Sequence, residues 1–466
     1  MMEEEPDVSY LFLIQNGIPA IINNAAAPLA LVIKLSIISH AGGQNYIAAW
    51  SIVQSTISFI QGIFNFLLYV PMAHISHLVG QQSTQVETQT QISWALSISV
   101  GVGFICIGSL YVGFQGIVLS IMKVVPDIQP LIMMYFMGLI PSILFAFVSK
   151  VCTGIMVGKQ HIQMVTLLNA MMNIFDVAFN FVVLLLWKGN LFQAGVATSI
   201  ATFIGVILLV PSAIFMKPKM TNTSKQINSD ALDSFDAWKF IQSSSNMMIR
   251  SISLQSAMYS STIAASRLGP SPLAAHQVII QLWSLVSYAC DGFADVGTMI
   301  GGRLIGSQKH SSMILLTKRL FILAFIMGIF CTALLIFYQN SIIDFFITDT
   351  NNEIKIQLSH VWLLTMIMQP INAIVYISDG ILYAHQAFAY VRNLMLLGVF
   401  IIFGPILIIG YTWTHTLLSI WIAKSILSLW RSFAAFWFSY QYTILHSSPK
   451  YTPKSISINE STSLLT

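Results

Sequence analysis

Along this chain apolar residues run in long blocks, separated by short polar breaks. Blocks of about 20 apolar residues or more are the signature of helices that cross a bilayer. Twelve can be marked: 9–39, 46–79, 92–122, 129–158, 162–187 and 191–216, then 237–266, 272–302, 312–338, 356–384, 393–413 and 416–442. They predict an all-α membrane protein with twelve transmembrane helices, six on each side of a polar stretch at 217–236. That stretch is rich in Ser, Asn, Thr and Lys and reads as a linker. Pro19, Pro71 and Pro141 fall inside long spans and are expected to bend them.

The two sets of spans repeat one another. An ungapped shift of 226 residues brings Gly43 onto Gly269, Ala48-Ala49 onto Ala274-Ala275, Gly80 onto Gly306, Gly154-Ile155 onto Gly380-Ile381 and Gln160 onto Gln386. Glycines coinciding at both ends of long helices point to an internal duplication. The expected domains are a six-helix bundle at 1–216, a cytosolic linker at 217–236, a second six-helix bundle at 237–445 and a cytosolic tail at 446–466. An even number of spans per half makes the repeat parallel, with its pseudo-twofold axis along the membrane normal. Such halves can rock about a cavity between them, the geometry of alternating access.

Composition sharpens this picture. Of 466 residues 56% are hydrophobic and 8% charged, too apolar for a single soluble core to hide. The net charge of +4 lies mostly in loops, so there is no basic face for nucleic acid. Cys106, Cys152, Cys290 and Cys331 sit in apolar stretches without metal-ligand or disulfide spacing, and His40, His276 and His360 form no metal motif. No metal site or organic cofactor is expected. The start, Met1 to Glu5, lacks the basic and apolar regions of a signal peptide. With a cytosolic start, thirteen Lys and Arg lie inside, four outside (Lys123, Lys188, Arg267 and Lys355) and four within spans. The positive-inside rule therefore favours a multi-pass protein with both termini cytosolic, and predicts that the sequons at Asn222 and Asn459 stay unglycosylated. The tail segment Glu460 to Leu465 resembles an acidic dileucine sorting signal. No DDxxD, HExxH, GxSxG or Walker pattern argues for an enzyme.

The candidate chemistry is the set of charges inside the spans, since each ionised group in hydrocarbon costs about 2.5–3.5 kcal/mol and must be paired, wet or functional. Lys34 either snorkels to the outer headgroups or pairs with Asp176 on the fifth span. In the second half Asp291 and Asp379 have Arg250 as a plausible counter-charge, and Asp295 lies one turn beyond Asp291 on the same face. These carboxylates either fix helix packing or exchange a coupling ion. Lys424 and Arg431 share a face of the last span and are expected to be structural.

Several motifs carry a family likeness. Gly269-Pro-Ser-Pro-Leu-Ala-Ala-His-Gln277, Tyr288-Ala-Cys-Asp-Gly-Phe-Ala294 and Gln369-Pro-Ile-Asn372 followed by Asp379-Gly-Ile381 stand in the second half. Ile18-Pro19, Ala48-Ala49, Asn169 to Asp176 and Ala194-Gly195-Val-Ala-Thr198 extend the likeness through the first. Together they resemble the multidrug and toxic compound extrusion (MATE) family, in particular its DinF-like branch. The resemblance implies a MATE/MOP-type fold and a secondary transporter that exports small organic solutes by alternating access. Coupling to H⁺ or Na⁺ would run through Asp291, Asp379 and Asp176, with Lys34 and Arg250 as charge partners and Asn173, Asp295 and Asn372 facing the substrate cavity. A lipid-linked flippase of the same superfamily and an uncoupled facilitator are the alternatives. The expected partners are a small organic solute and the lipid bilayer, with the protein a monomer. Two departures stand out: Lys34 occupies a position where relatives of this branch carry an aspartate, and Met172 replaces an asparagine, leaving Asn173 one place out of register. Lys34 and Arg250 tilt the expected solute toward organic anions or zwitterions.

Overall fold

A computed structural model describes residues 8–114, 116, 128–218, 237–346 and 352–447. The first half comprises α1 (Tyr10–Ile63), α2 (Phe66–Gln81), α3 (Gln85–Gly113), α4 (Gln129–Gly158), α5 (Ile162–Phe181), which ends in a π-helical segment (Val182–Leu186), and α6 (Leu191–Phe215). The second half comprises α7 (Ala237–Arg267), α8 (Pro270–Gly306), α9 (His310–Phe337), α10 (Gln339–Phe346), α11 (Asn352–Ile367) and α12 (Gln369–Ala384). It continues with α13 (Phe388–Leu396), a π-helical segment (Leu397–Phe403), α14 (Gly404–Thr414) and α15 (Leu417–Ser447). Lys123, most of the 217–236 linker, both sequons, Met1 to Glu5 and the dileucine segment lie outside the described residues.

Ten helical stretches are long and apolar enough to cross a membrane, the first two being Tyr10–Gly42 and Asn45–Gln81. α11 and α12 meet at a 54° bend and together form another span. α7, 31 residues long, completes the set although its sequence is far more polar. It escapes a hydropathy criterion because its serines face protein: Ser243, Ser244, Ser251, Ser253 and Ser261 are all buried.

Local chemistry sets the helix starts. Thr84 and Glu87 form a capping box at α3, and Asn190 and Gln193 form another at α6, each satisfying orphan N–H groups. The first of these starts the third span at Gln85, seven residues before the expected position 92. The breaks fall elsewhere than at the prolines expected to bend the spans. Pro19, Pro71 and Pro141 lie inside helices, where neighbouring elements in a membrane bundle re-satisfy the freed backbone. One break instead falls at Phe64 and Asn65, between α1 and α2. There Lys150 of α4 donates to Gln61 O and Asn65 Oδ1, both at 2.7 Å. Lys150 is thus an internal clamp on a broken helix. The 54° bend lies at Met368, two residues before Pro370.

The 226-residue repeat is built into the backbone. Gln82 and Gln308 have φ of 54° and 58°, and Gln160 and Gln386 have φ of 69° and 53°, so left-handed turns recur at matched positions. A Cβ on Gly154 would lie 2.3 Å from Leu68 O, and one on Gly380 would lie 2.2 Å from Ala294 O, again matched. The halves also meet reciprocally. A Cβ on Gly80 would be 2.1 Å from Arg303 O, and one on Gly306 would be 2.2 Å from His77 O. Four residues thus make two equivalent contacts across a pseudo-twofold axis. This seam lies at the face where the chain enters α1 and leaves α15, and is strengthened by Arg303 donating to Gln160 Oε1 at 3.0 Å and Ser76 to Thr298 O at 3.3 Å.

Candidate functional site

In the first half Lys34 turns inward rather than toward headgroups and is 2% exposed. Its ammonium donates to Asp176 Oδ2 at 2.8 Å and to Thr198 Oγ1 at 3.2 Å. Asn180, one turn beyond Asp176 on α5, donates to Asp176 Oδ1 at 2.9 Å and to Thr198 Oγ1 at 3.0 Å. Helices α1, α5 and α6 therefore close a neutral pair whose remaining lone pairs are largely satisfied, the condition for keeping charges in an apolar bundle. Asn173 takes no part in it and donates to Asn169 O at 2.9 Å. Met172 is directed at Gly205, where an added Cβ would lie 2.5 Å from its sulfur.

In the second half Asp379 of α12 receives two guanidinium groups on one oxygen, Arg250 from α7 and Arg431 from α15, the latter at 2.8 Å. Arg250 is thus one of two counter-charges rather than the sole one. Asp291 and Asp295, one turn apart on α8, stand differently. Asp295 Oδ2 accepts from Asn24 Nδ2 at 3.0 Å, while Asp291 makes no hydrogen bond or ion pair among the described residues. Asp291 nonetheless lies within electrostatic reach of Asp295, Asp379, Arg250 and Arg431. Three carboxylates against two guanidiniums leave this cluster one negative charge in excess, whereas the Lys34–Asp176 pair has none.

A chain of amides leads from the second centre into the first half, ending at Asn169 and Thr153 short of the Lys34–Asp176 pair, and it was not foreseen. From Asp295 it runs through Asn24 to Asn23 (3.3 Å) and on to Asn169 (2.8 Å), whose amide also donates to Thr153 Oγ1 at 3.3 Å. The one visible signal was the Asn23-Asn24 pair in mid-span. Tyr69 and Tyr383 face each other across the halves with ring centroids 5.0 Å apart. Asn372 does not join this inter-half region. It lines a separate cavity inside the second bundle, with Trp283, Tyr376, Lys424 and Arg431. Among the described residues no three His, Cys, Asp or Glu side chains gather as a metal site.

The comparisons with known proteins agree with this architecture. The MatE family model matches residues 19–182 and 247–409, one block in each half. Protein DETOXIFICATION 43 of Arabidopsis thaliana is 24% identical over 189 residues, a match covering 40% of this chain and 35% of that protein. The matched stretch thus spans about a third of the length of that curated relative. Among solved structures, an outward-facing multidrug resistance MATE family transporter of the MOP superfamily superposes with a TM-score of 0.82 at 14% identity, covering 94% of this chain and 96% of that one. The MATE transporter VcmN of Vibrio cholerae gives a TM-score of 0.80 at 15% identity, over 94% of this chain and 97% of that one. A MOP superfamily transporter from Pyrococcus furiosus gives 0.79 at 15%, over 94% and 96%. These likenesses establish the fold, and the family match covers most of both halves: the chain belongs to the MatE family and is an integral multi-pass membrane protein.

Proposed function

We propose that the protein is a secondary active exporter of a small organic solute, driven by inward movement of protons, with Asp291 and Asp295 as the coupling groups. The supporting observation is the asymmetry of the halves. Asp176 is neutralised by a tethered ammonium, and Asp379 is held by two arginines. Among the described spanning carboxylates, only the α8 pair is left without a cationic partner in hydrogen-bond contact. A buried excess negative charge is costly unless a mobile cation neutralises it. The proton fits this place better than sodium, since Asn24 points an amide N–H at Asp295, and a metal ion needs oxygens all round. Loading and unloading that proton changes how strongly Asp295 accepts from Asn24, the hydrogen bond that joins the halves here, and so biases which face opens. Both termini face the cytosol in this scheme. Lys34 and Arg250 are each tied to a carboxylate, so the preference for an anionic solute expected from them does not enter this scheme.

Reconstitution into vesicles tests this directly. Export of an aromatic carboxylate and of a cationic dye is followed under imposed pH and sodium gradients. Wild type should respond to the pH gradient, and Asp291→Asn and Asp295→Asn should each lose that response while retaining solute exchange at equal pH. Flux indifferent to both gradients would instead support a facilitator, the reading that the permanently neutral Lys34–Asp176 pair favours.

A further inference from the structure

The bundle of the second half encloses a cavity of about 20 Å³ that the coupling scheme does not use. It has room for one water molecule or a monatomic ion of similar size. Its polar lining consists of Asn372 and Tyr376 from α12 and Lys424, Ser428 and Arg431 from α15, with Trp283 from α8. These groups are almost all donors, and no Asp or Glu is among the lining residues.

Three of them lack what burial normally requires. Lys424 is 6% exposed, and its ammonium lies 4.3 Å from the Trp421 ring and 5.5 Å from the Trp283 ring. Among the described residues no carboxylate reaches it. Aromatic faces attract an ammonium but do not neutralise it. Asn372 is 1% exposed, and both atoms of its amide are without a partner. Arg431 gives an Nη2 hydrogen to Asp379 and leaves its Nε unpartnered. Tyr376 accepts from Trp283 Nε1 at 2.8 Å, so its own hydroxyl proton remains to be donated.

Comparison with the first half shows what the arrangement omits. Lys424 stands 226 residues after Thr198, the residue that helps hold the Lys34–Asp176 pair. The first bundle supplies its buried ammonium with a carboxylate of its own. The second supplies an ammonium without one, and the whole stretch 388–414 that packs beside α15 contains no Asp or Glu. We infer that this cavity is a binding site for a small monovalent inorganic anion of the size of chloride, held by Lys424 and Asn372 with the Tyr376 hydroxyl and Arg431 completing the shell. The anion stands in for the side chain that Asp176 provides in the other half, and it keeps the Lys424 and Arg431 charges from repelling each other across the cavity. Neither Asp291 nor Asp295 lines the site, and Arg431 is the one residue it shares with the Asp379 cluster.

Bromide is a suitable probe, because Trp283 and Trp421 border the ammonium and a bound heavy halide quenches indole fluorescence. Purified full-length protein is titrated with sodium bromide against sodium gluconate at constant ionic strength. Wild type should show a saturable quenching component that chloride displaces, and its amplitude should fall in Trp421→Phe. Lys424→Met should weaken the half-saturation roughly tenfold or more. Asn372→Asp, which would supply the missing carboxylate, should abolish it. Thermal unfolding in gluconate reports whether each variant is folded, and chloride should raise the unfolding temperature of wild type but not of Asn372→Asp. Purely linear, collisional quenching in wild type would mean that the cavity holds only water and overturns the inference, as would an undiminished saturable component in Asn372→Asp.

Discussion

Replacing Lys34 by methionine isolates the claim that a tethered ammonium has taken the place of a mobile cation in the first half. The change keeps an unbranched side chain, shorter only by the terminal ammonium nitrogen, and removes its charge. Asp176 is then left in the bundle with Asn180 as its donor, and loses the 2.8 Å ion pair. Breaking a buried pair by removing one partner costs about 3–5 kcal/mol. The Asp176 side chain is 14% exposed, so some solvent screening applies, and the lower end of that range, about 3 kcal/mol, is expected. Removing both charges in Lys34→Met with Asp176→Leu should restore stability to within about 1 kcal/mol of wild type, because an apolar pair of similar volume replaces an ion pair at little cost. The thermal stability of the four proteins of this double-mutant cycle, followed by size-exclusion chromatography after heating, measures the coupling. Sodium salts should partly rescue Lys34→Met relative to choline salts, and Lys34→Asp should confer a cation dependence on transport. If Lys34→Met is as stable as wild type, or if the double variant is no better than the single one, the pair is not the neutralising device described.

Other expectations follow from particular contacts. Gly380→Ala would place a Cβ 2.2 Å from Ala294 O and should destabilise the second bundle by about 1–3 kcal/mol. Gly101→Ala meets nothing within 4 Å and should be neutral or stabilising by up to about 1 kcal/mol, so heat-inactivation of the two variants tests the packing directly. Lys150→Met removes two charged-donor hydrogen bonds at the α1–α2 break and should cost about 2–4 kcal/mol in the same assay. Ser76→Cys with Gly302→Cys brings two Cβ atoms to 3.0 Å across the seam, about 0.8 Å closer than in a relaxed disulfide, so the helices must part slightly for the bond to form. The pair should cross-link under oxidation and stop transport reversibly, whereas transport that survives full cross-linking would refute rocking of the halves.

Much of the fold was legible because the bilayer imposes a coarse rule. Spans must be long and apolar, and a repeat of their glycines survives because close backbone approaches tolerate no side chain. The charged centres were legible for a related reason: a charge in hydrocarbon must find a partner, so Lys34 and Asp176, far apart in sequence, could be considered together. Neutral amides carry no such obligation, which is why the chain of Asn23, Asn24 and Asn169 showed itself only as a pair of asparagines in mid-span. Arg431 was expected to be structural, and its place on the same carboxylate oxygen as Arg250 depends on how three helices cross. Asn372 sits on the family motif, yet it belongs to a pocket inside one bundle. The motif identified the helix, and packing alone determined which way the side chain would look. Breaks at Phe64 and Met368 were likewise hidden, because the first is held by Lys150 reaching over from α4 and the second lies just before Pro370, which was not among the prolines expected to bend a span.

The reciprocal glycine contacts between α2 and α8 have a consequence for how such a protein can change over time. Where two rods touch through bare peptide groups, the fit depends on the absence of side chains and hardly at all on what the surrounding residues are. Most positions along that joint are therefore open to substitution, while the two glycines, Gly80 and Gly306, are not. A mechanical bearing of this kind can keep its geometry long after the sequences on either side have drifted beyond mutual recognition.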